Sequence, residues 1–400
     1  MGVEKKALEG VVVLDLTQFL SGPFCTMLLS DLGAEVIKVE RPDRPKASGP
    51  YLNGERTYDL SINRGKKSIT FNLKNEWDKS LFLKLAEKAD VLVENFKPGT
   101  MDKMGLGYEI IKGINPSIIY ASISGFGHTG PYASRGALDM VVQGMSGFMS
   151  LTGEQNGRPM KAGPSISDLV AGIYTFGAIT TALYYREHNK TGQFIDVAML
   201  DCMFSCLENA VINYFATGQT PMRNGNRHQT ISPFQSFQAA DGEVIITASR
   251  DSAYAKLCKT IDREDLITDP RFSTPEKRRL NTDELEKEIT IFTSKHSVDE
   301  IESLLVTAGV PFGRINTVAQ ISNDPQIVAR GMVEETVQSV AGPYKMAGNP
   351  LKFSETPPIA NRPAPLLGEH THAILCGMLQ MTDQEINDFL IAQKGSIGGI

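Results

Sequence analysis

Short apolar runs alternating with helix-periodic segments restrict this chain more than any other feature. Val11-Val12-Val13-Leu14-Asp15-Leu16 is apolar at nearly every position instead of every second one, as a strand must be when both faces of its sheet are covered. A loop containing Ser21-Gly22-Pro23 follows, then a helical pattern from Phe24 to Gly33, then the strand Glu35-Val36-Ile37-Lys38-Val39-Glu40. That is a βαβ unit, whose crossover joins parallel strands. The alternation continues through Lys67 to Asn72, Lys79 to Lys88, Asp90 to Glu94 and Ser117 to Ser122. The pattern predicts an α/β fold, a doubly wound, Rossmann-like parallel sheet that binds ligands at the carboxyl ends of its strands.

Four hundred residues exceed what one ordinary core holds, so a second unit is expected. A long helix from Asp168 ends at Arg186-Glu187-His188-Asn189-Lys190-Thr191-Gly192, where basic residues and a glycine form a C-terminal signal. Its stretch from Leu169 to Tyr185 is uncharged but short for a bilayer, which predicts a buried helix and no membrane partner. A strand at 194–198 and an apolar helix to about Phe215 follow, and polar, Gly-rich sequence to Gln238 reads as a linker or functional loop. Asp241-Gly242 sets a turn before a strand, and charged surface helices fill 262–302. The expected organisation is a large domain in 1–200, a linker at 201–224, a small α/β domain at 225–325, a second linker at 326–349, and a return to the large domain at 350–400.

A net charge of −6 without a long basic run argues against nucleic acid as a partner. Cys202 and Cys206 share a helix spacing, but nothing completes a zinc set, so no metal is expected. Five cysteines, an odd count, fit a reducing cytoplasm. Met1-Gly2-Val3-Glu4-Lys5-Lys6 has neither a signal-peptide pattern nor the Ser or Thr of a myristoylation site.

The first βα turn, Thr17-Gln18-Phe19-Leu20-Ser21-Gly22-Pro23, lacks the G-x-G-x-x-G that a dinucleotide pyrophosphate needs. Basic residues recur near predicted strand ends: Arg41, Arg64, Lys66, Lys67, Lys74, Lys97 and Lys103. They either converge on one phosphate-bearing ligand or form a solvated rim. Asp168 lies in the apolar run Gly163 to Gly172 at a helix start. One reading is a helix cap, with Ser165 and Ser167. The other is a carboxylate kept ionised beside apolar surface as a nucleophile.

Gly22-Pro23, Leu32-Gly33-Ala34-Glu35-Val36-Ile37-Lys38-Val39-Glu40, Asn63-Arg64-Gly65-Lys66-Lys67-Ser68, Val93-Glu94-Asn95-Phe96-Lys97-Pro98-Gly99, Asp102-Lys103-Met104-Gly105, Ser124-Gly125-Phe126-Gly127 and Leu366-Leu367-Gly368-Glu369-His370-Thr371 occur in order. Together they resemble the class III CoA-transferases, the group of formyl-CoA transferase and carnitine CoA-transferase. The resemblance implies that Asp168 is the catalytic aspartate. It implies that Arg41, Phe71, Lys74, Asn95, Phe96, Lys103 and Met199 contact coenzyme A, and that Gln18, Phe19, Leu20 and Ser21 lie along the coenzyme. This loop departs from the formyl-CoA transferase pattern, which has His for Gln18 and Gln for Leu20. That subgroup's glycine run is replaced by Gly225-Asn226-Arg227-His228, which with Leu138 is expected to face the acyl or acid end.

The resemblance also covers α-methylacyl-CoA racemases, which carry a His directly before an Asp. Here Gly136-Ala137-Leu138-Asp139 places at that position a leucine, which cannot act as a base. His128, in a Gly-His-Thr-Gly loop, is read as structural. The expected reaction moves coenzyme A from an acyl-CoA donor to a free carboxylic acid, a small dicarboxylate by likeness around 225–242, through a mixed anhydride and an aspartyl-CoA thioester. Backbone N–H groups near Gly163 or at the helix start would stabilise the oxyanion. Coenzyme A is a substrate and no permanent cofactor is expected. A racemase and a non-catalytic CoA-binding homologue are the alternatives, and an intertwined homodimer is implied by the resemblance.

Overall fold

Six strands form one parallel sheet: β1 (Val12–Asp15), β2 (Glu35–Glu40), β3 (Lys67–Thr70), β4 (Val91–Glu94), β5 (Ile119–Ser124) and β6 (Gln193–Ala198). The computed structural model describes residues 6–44 and 48–397, with side chains as far as 393. The leader reading of Met1 to Lys5 falls outside the described residues. The order is β3-β2-β1-β4-β5-β6, every neighbouring pair parallel. From β1 the chain winds outward through β2 and β3. It then returns to the other side of β1 and winds outward again. The doubly wound sheet anticipated from the alternating pattern is the observed one.

The first apolar run is explained by what covers each face. Leu14, Ile37, Ile69 and Leu92 point into one layer, packed against α2 (Glu76–Lys88, through Phe82 and Leu85) and two helices from the chain's far end, α5 (Thr371–Leu379) and α6 (Asp383–Ile397). Val13, Val36, Val91, Val93 and Ile119 point the other way, onto α1 (Ser21–Asp31) and α4 (Ile166–Asn189). Each fully buried Val, Leu or Ile contributes about 1.5–3 kcal/mol, so a strand apolar at every position is stable only between two helical layers. The chain end is pinned at the sheet edge: the His370 N–H donates to the Ser68 carbonyl and the Gly368 N–H to the Ser68 hydroxyl, both at 2.9 Å.

α4 is not buried all round. Its inner face, including Ala171, Gly172, Thr175, Ile179 and Ala182, is buried, whereas Ile173, Tyr174, Tyr184 and Tyr185 are exposed. Among the described residues it is the one helix long and apolar enough to cross a membrane, but its inner face packs on α1 as part of the fold. The expected buried helix is thus buried along its inner face and exposed along the other.

The chain divides into two compact units, Met1–Phe148 with Lys161–Ile212 and Gln326–Ile400, and Met149–Met160 with Asn213–Pro325. The second is built on an antiparallel sheet of Phe234–Gln238, Glu243–Thr247 and Phe312–Arg314, with Asp241-Gly242 in the hairpin turn. Its core gathers Phe237, Val244, Ile246, Tyr254, Leu257, Ile289 and Ile301. The segment 149–160 counts with this unit because the Gly225 N–H donates to the Gly153 carbonyl and Arg223 donates to Ser150 and Gly157 carbonyls. Sequence composition there carries no boundary signal.

Candidate active site

The winding direction reverses between β1 and β4, and the loops leaving their carboxyl ends part there. Such a switch point is where an open α/β sheet holds its ligand. The two loops are joined by Asn95, whose Oδ1 accepts the Gln18 N–H and whose Nδ2 donates to the Gln18 carbonyl, both at 2.7 Å. The same Nδ2 donates to the Ser21 hydroxyl at 3.3 Å. Held this way, Phe19 adopts the left-handed region at φ +59° with its ring 68% exposed. A non-glycine residue there costs about 1–2 kcal/mol, which the surrounding bonds must offset.

Beneath the loop is a buried ionic cluster. Asp15 accepts from the Thr17 N–H at 2.9 Å, from Thr26 at 2.7 Å and from the Lys66 ammonium at 2.9 Å, and Lys38 donates to the Thr17 carbonyl at 2.9 Å. Burial alone would raise the Asp15 pKa, but the ammonium groups of Lys38 and Lys66, with the Thr17 and Thr26 hydroxyls, hold it well below the usual range. The loop therefore stands on a fixed polar floor.

Asp168 is the third residue of α4 and does not cap it; the preceding Ser165 makes no side-chain cap bond either. The capping carboxylate comes from α3 (Asp139–Met145): Asp139 accepts the Ser167 N–H at 2.9 Å and the Ser167 hydroxyl. Its other oxygen accepts from Gln143 at 2.7 Å. Released from capping, Asp168 faces Ser21 at the start of α1. Burial and then the Asp139 charge push its pKa up to about 6, against the Ser21 hydroxyl and N–H, which favour the ionised form.

Gly172, one helical turn beyond Asp168, lets the two helices meet. A Cβ there would lie 2.7 Å from the Ser21 carbonyl oxygen and 3.2 Å from the Phe24 ring, so α1 can rest on α4 only where a side chain is missing. The arrangement is a half-buried carboxylate facing a helix start, beside a strained loop at a sheet switch point. It suits a nucleophile.

The profile of CoA-transferase family III matches residues 8–371. The chain is 43% identical to the acetyl-CoA:oxalate CoA-transferase of Acetobacter aceti, covering 92% of this chain and 95% of that one. It is 39% identical to the succinyl-CoA:glutarate CoA-transferase of Homo sapiens, covering 97% and 89%. The chain belongs to CoA-transferase family III. A CaiB/BaiF family protein from Brucella suis has the same fold, with a TM-score of 0.85 at 40% identity over 93% of this chain and 99% of that one. The protein is thus an enzyme of the CoA-transferase class, and CoA thioesters are the substrates that class implies.

Within this family member, the residues expected at the coenzyme divide by exposure. Arg41 is exposed and donates twice to Asp43, at 2.9 and 2.6 Å, holding that carboxyl below its usual range with a smaller effect from Lys74. Arg41 and Lys74 thus share the corner beyond β2 and β3, and Lys103 is also exposed. Phe96 packs partly against the core, its N–H held by Glu94 at 2.7 Å. Two side chains are turned away from solvent. Phe71 is 1% exposed and edge-on to Phe389, and Met199, 5% exposed, packs with Ile123, Val142 and Ala171.

Three of the seven basic residues are committed elsewhere: Arg64 to Asp31 at 2.7 Å, Lys66 to Asp15, and Lys67 to Glu35 at 2.6 Å. Arg64 and Lys66 are buried and must be paired, so they cannot serve a ligand; Arg41, Lys74, Lys97 and Lys103 are exposed, Arg41 with Asp43 beside it. Leu138 is exposed beside Asp139. The Gly225 to His228 loop lies in the second unit, with Gly225 at φ +59° and Asn226 donating to Ser236 at 3.1 Å. There the His228 N–H donates to the Phe234 carbonyl at 3.0 Å. Arg227 is paired with Asp283 at 2.6 Å and with Glu286, so it is not a free cation.

Sequence reasoning missed the partnership of Asp139 with Ser167 and the Asp168-to-Gly172 spacing. The second was readable as a small residue one turn beyond a carboxylate. It also missed a cavity of about 160 Å³ lined by Glu94, Lys97, Asp102, Tyr108, Tyr120 and His128. Burial pushes the Glu94 pKa up to about 7 there, and His128 is fixed to the Ser122 hydroxyl at 2.7 Å.

Proposed function

We propose that the protein moves coenzyme A from an acyl-CoA donor to a small dicarboxylic acid through covalent intermediates on Asp168. The carrying observation is the Asp168 environment: a half-buried carboxylate facing the start of α1, whose pKa of about 6 leaves it mostly ionised at neutral pH. Its oxygen attacks the donor thioester carbonyl, the C–S bond breaks, and a mixed anhydride forms with coenzyme A thiolate as leaving group. The thiolate attacks the aspartyl carbonyl and expels the donor carboxylate. The acceptor carboxylate then attacks the aspartyl-CoA thioester, and the returning thiolate attacks the acceptor's acyl carbonyl, freeing Asp168. One thioester is consumed and one made, with no proton or water used.

Donors at the start of α1 suit the developing oxyanion, and the exposed Arg41, Lys74, Lys97 and Lys103 at the carboxyl edge suit a phosphorylated coenzyme. The dicarboxylate reading draws on relatives named for oxalate, glutarate and mesaconate. We place the enzyme in the cytoplasm, consistent with five unpaired cysteines. The homodimer reading accords with the exposed Ile173, Tyr174, Tyr184, Phe204 and Ile212 of the large unit.

The test is ester exchange followed by chromatography with mass detection, pairing acetyl-CoA or succinyl-CoA with a panel of free acids. The expected products are the CoA esters of oxalate, succinate or glutarate. Transfer confined to carnitine or arylalkanoates contradicts the substrate class, and α-epimerisation without transfer contradicts the reaction.

A further inference from the structure

We propose that Asn95 is a positioning residue for the nucleophile, acting across the switch point by orienting the Ser21 hydroxyl toward Asp168. The inference rests on Asp168 being the nucleophile, as proposed above. The family resemblance assigns Asn95 to coenzyme contact, but both ends of its amide are already used. Oδ1 accepts the Gln18 N–H, and Nδ2 donates to the Gln18 carbonyl and the Ser21 hydroxyl. A hydroxyl that accepts from an amide has its own hydrogen left to give. Ser21 lies against α4 one turn from Asp168, its carbonyl oxygen 2.7 Å from where a Cβ on Gly172 would sit, and its hydroxyl favours the Asp168 carboxylate. Asn95 therefore fixes which way that donor points.

The link is rigid at each end. Ser21 is 3% exposed at the first position of α1, so its side chain has little room to turn. Asn95 directly follows β4, and the next N–H, that of Phe96, is tied to the buried Glu94 carboxylate at 2.7 Å. A hydrogen bond to a charged group contributes more than a neutral one, and aligned donors strengthen one another. The other charged or titratable groups acting with Asp168 are Asp139 from α3 and Tyr58 from the helix Thr57–Ile62. Neither touches Asn95 in the bonds described. A change at Asn95 thus reaches Asp168 through Ser21.

The test measures enzyme acylation by acetyl-CoA against pH in wild type, Asn95→Ala, Ser21→Ala and the double variant, alongside thermal melts and coenzyme A binding. Losing the donor weakens the carboxylate form, so the acid limb moves to higher pH and acylation slows about 2- to 10-fold at neutral pH. The expected result is a similar shift in both single variants and no further shift in the double. The isosteric Asn95→Asp, which keeps the acceptor for Gln18 but loses both donors, gives a second reading if Asn95→Ala does not fold. The proposal is overturned if Asn95→Ala or Asn95→Asp raises only the KM for acyl-CoA while the limb stays in place, or if the single shifts simply add. If wild type forms no adduct on Asp168, the nucleophile reading itself fails, an outcome separate from either of these.

Discussion

The Asp139 carboxylate caps α4 through the Ser167 N–H, one residue before Asp168, at 2.9 Å. A neighbour's carboxylate thus does the capping that Asp168 would otherwise do, and at the same time raises the Asp168 pKa by its charge. Asp139→Asn keeps an acceptor for Ser167 and removes that charge. Burial, the larger raising cause, remains, but without the Asp139 charge Asp168 ionises at lower pH, so the acid limb of enzyme acylation moves below about 6. Rates of adduct formation between pH 4.5 and 8 check the direction; a limb moving upward contradicts it.

Gly172→Ala places a methyl 2.7 Å from the Ser21 carbonyl and forces α1 off α4. Overpacking of this kind costs about 1–3 kcal/mol. Denaturant midpoints are expected to fall, and transfer to fall further than stability explains, because Ser21 leaves Asp168.

Lys66→Met breaks a buried ion pair and leaves Asp15 with Lys38 as its remaining cation, a loss of about 3–5 kcal/mol. The Asp15 pKa is depressed in the folded state, so its contribution is present above the unfolded value of 3.8 and is lost as pH falls below it. The stability gap between wild type and variant therefore narrows on acidification. Unfolding at neutral pH and at pH 3 measures it.

Arg41→Ala and Arg227→Ala should part company. Arg41 is exposed at the carboxyl edge, and its removal raises the KM for acyl-CoA with little change in kcat, as loss of uniform binding does. Arg227 is held by Asp283 and Glu286 in the second unit, and its removal costs about 1 kcal/mol of stability without selectively raising the KM of dicarboxylate acceptors. Steady-state kinetics with melts separate the two.

The sheet was legible because Val11 to Leu16 and the following strands carry their burial in composition, and the switch point follows from strand order. Gln18 to Ser21 in the first βα turn and Asp168 at a helix start were legible as positions, and the structure keeps both places. What charged side chains do was not. Arg64, Lys66 and Arg227 read as available cations, yet each meets a carboxylate far away in sequence: Asp31, Asp15 and Glu286. A pairing across such separations leaves no local pattern. The same holds for Asp139 and Ser167, 28 positions apart. Nor did the sequence show that the side chain of Phe71, just after β3, is buried, because it is α6 that brings Phe389 over it.

The most direct test of the account is mass spectrometry of the peptide containing Asp168 after rapid quenching of enzyme mixed with succinyl-CoA. The account predicts a coenzyme A adduct on Asp168 in the wild type, none in Asp168→Ala, and a loss of transfer of about 10³-fold or more in that folded variant. Undiminished turnover in Asp168→Ala, or an adduct on another residue, would contradict it.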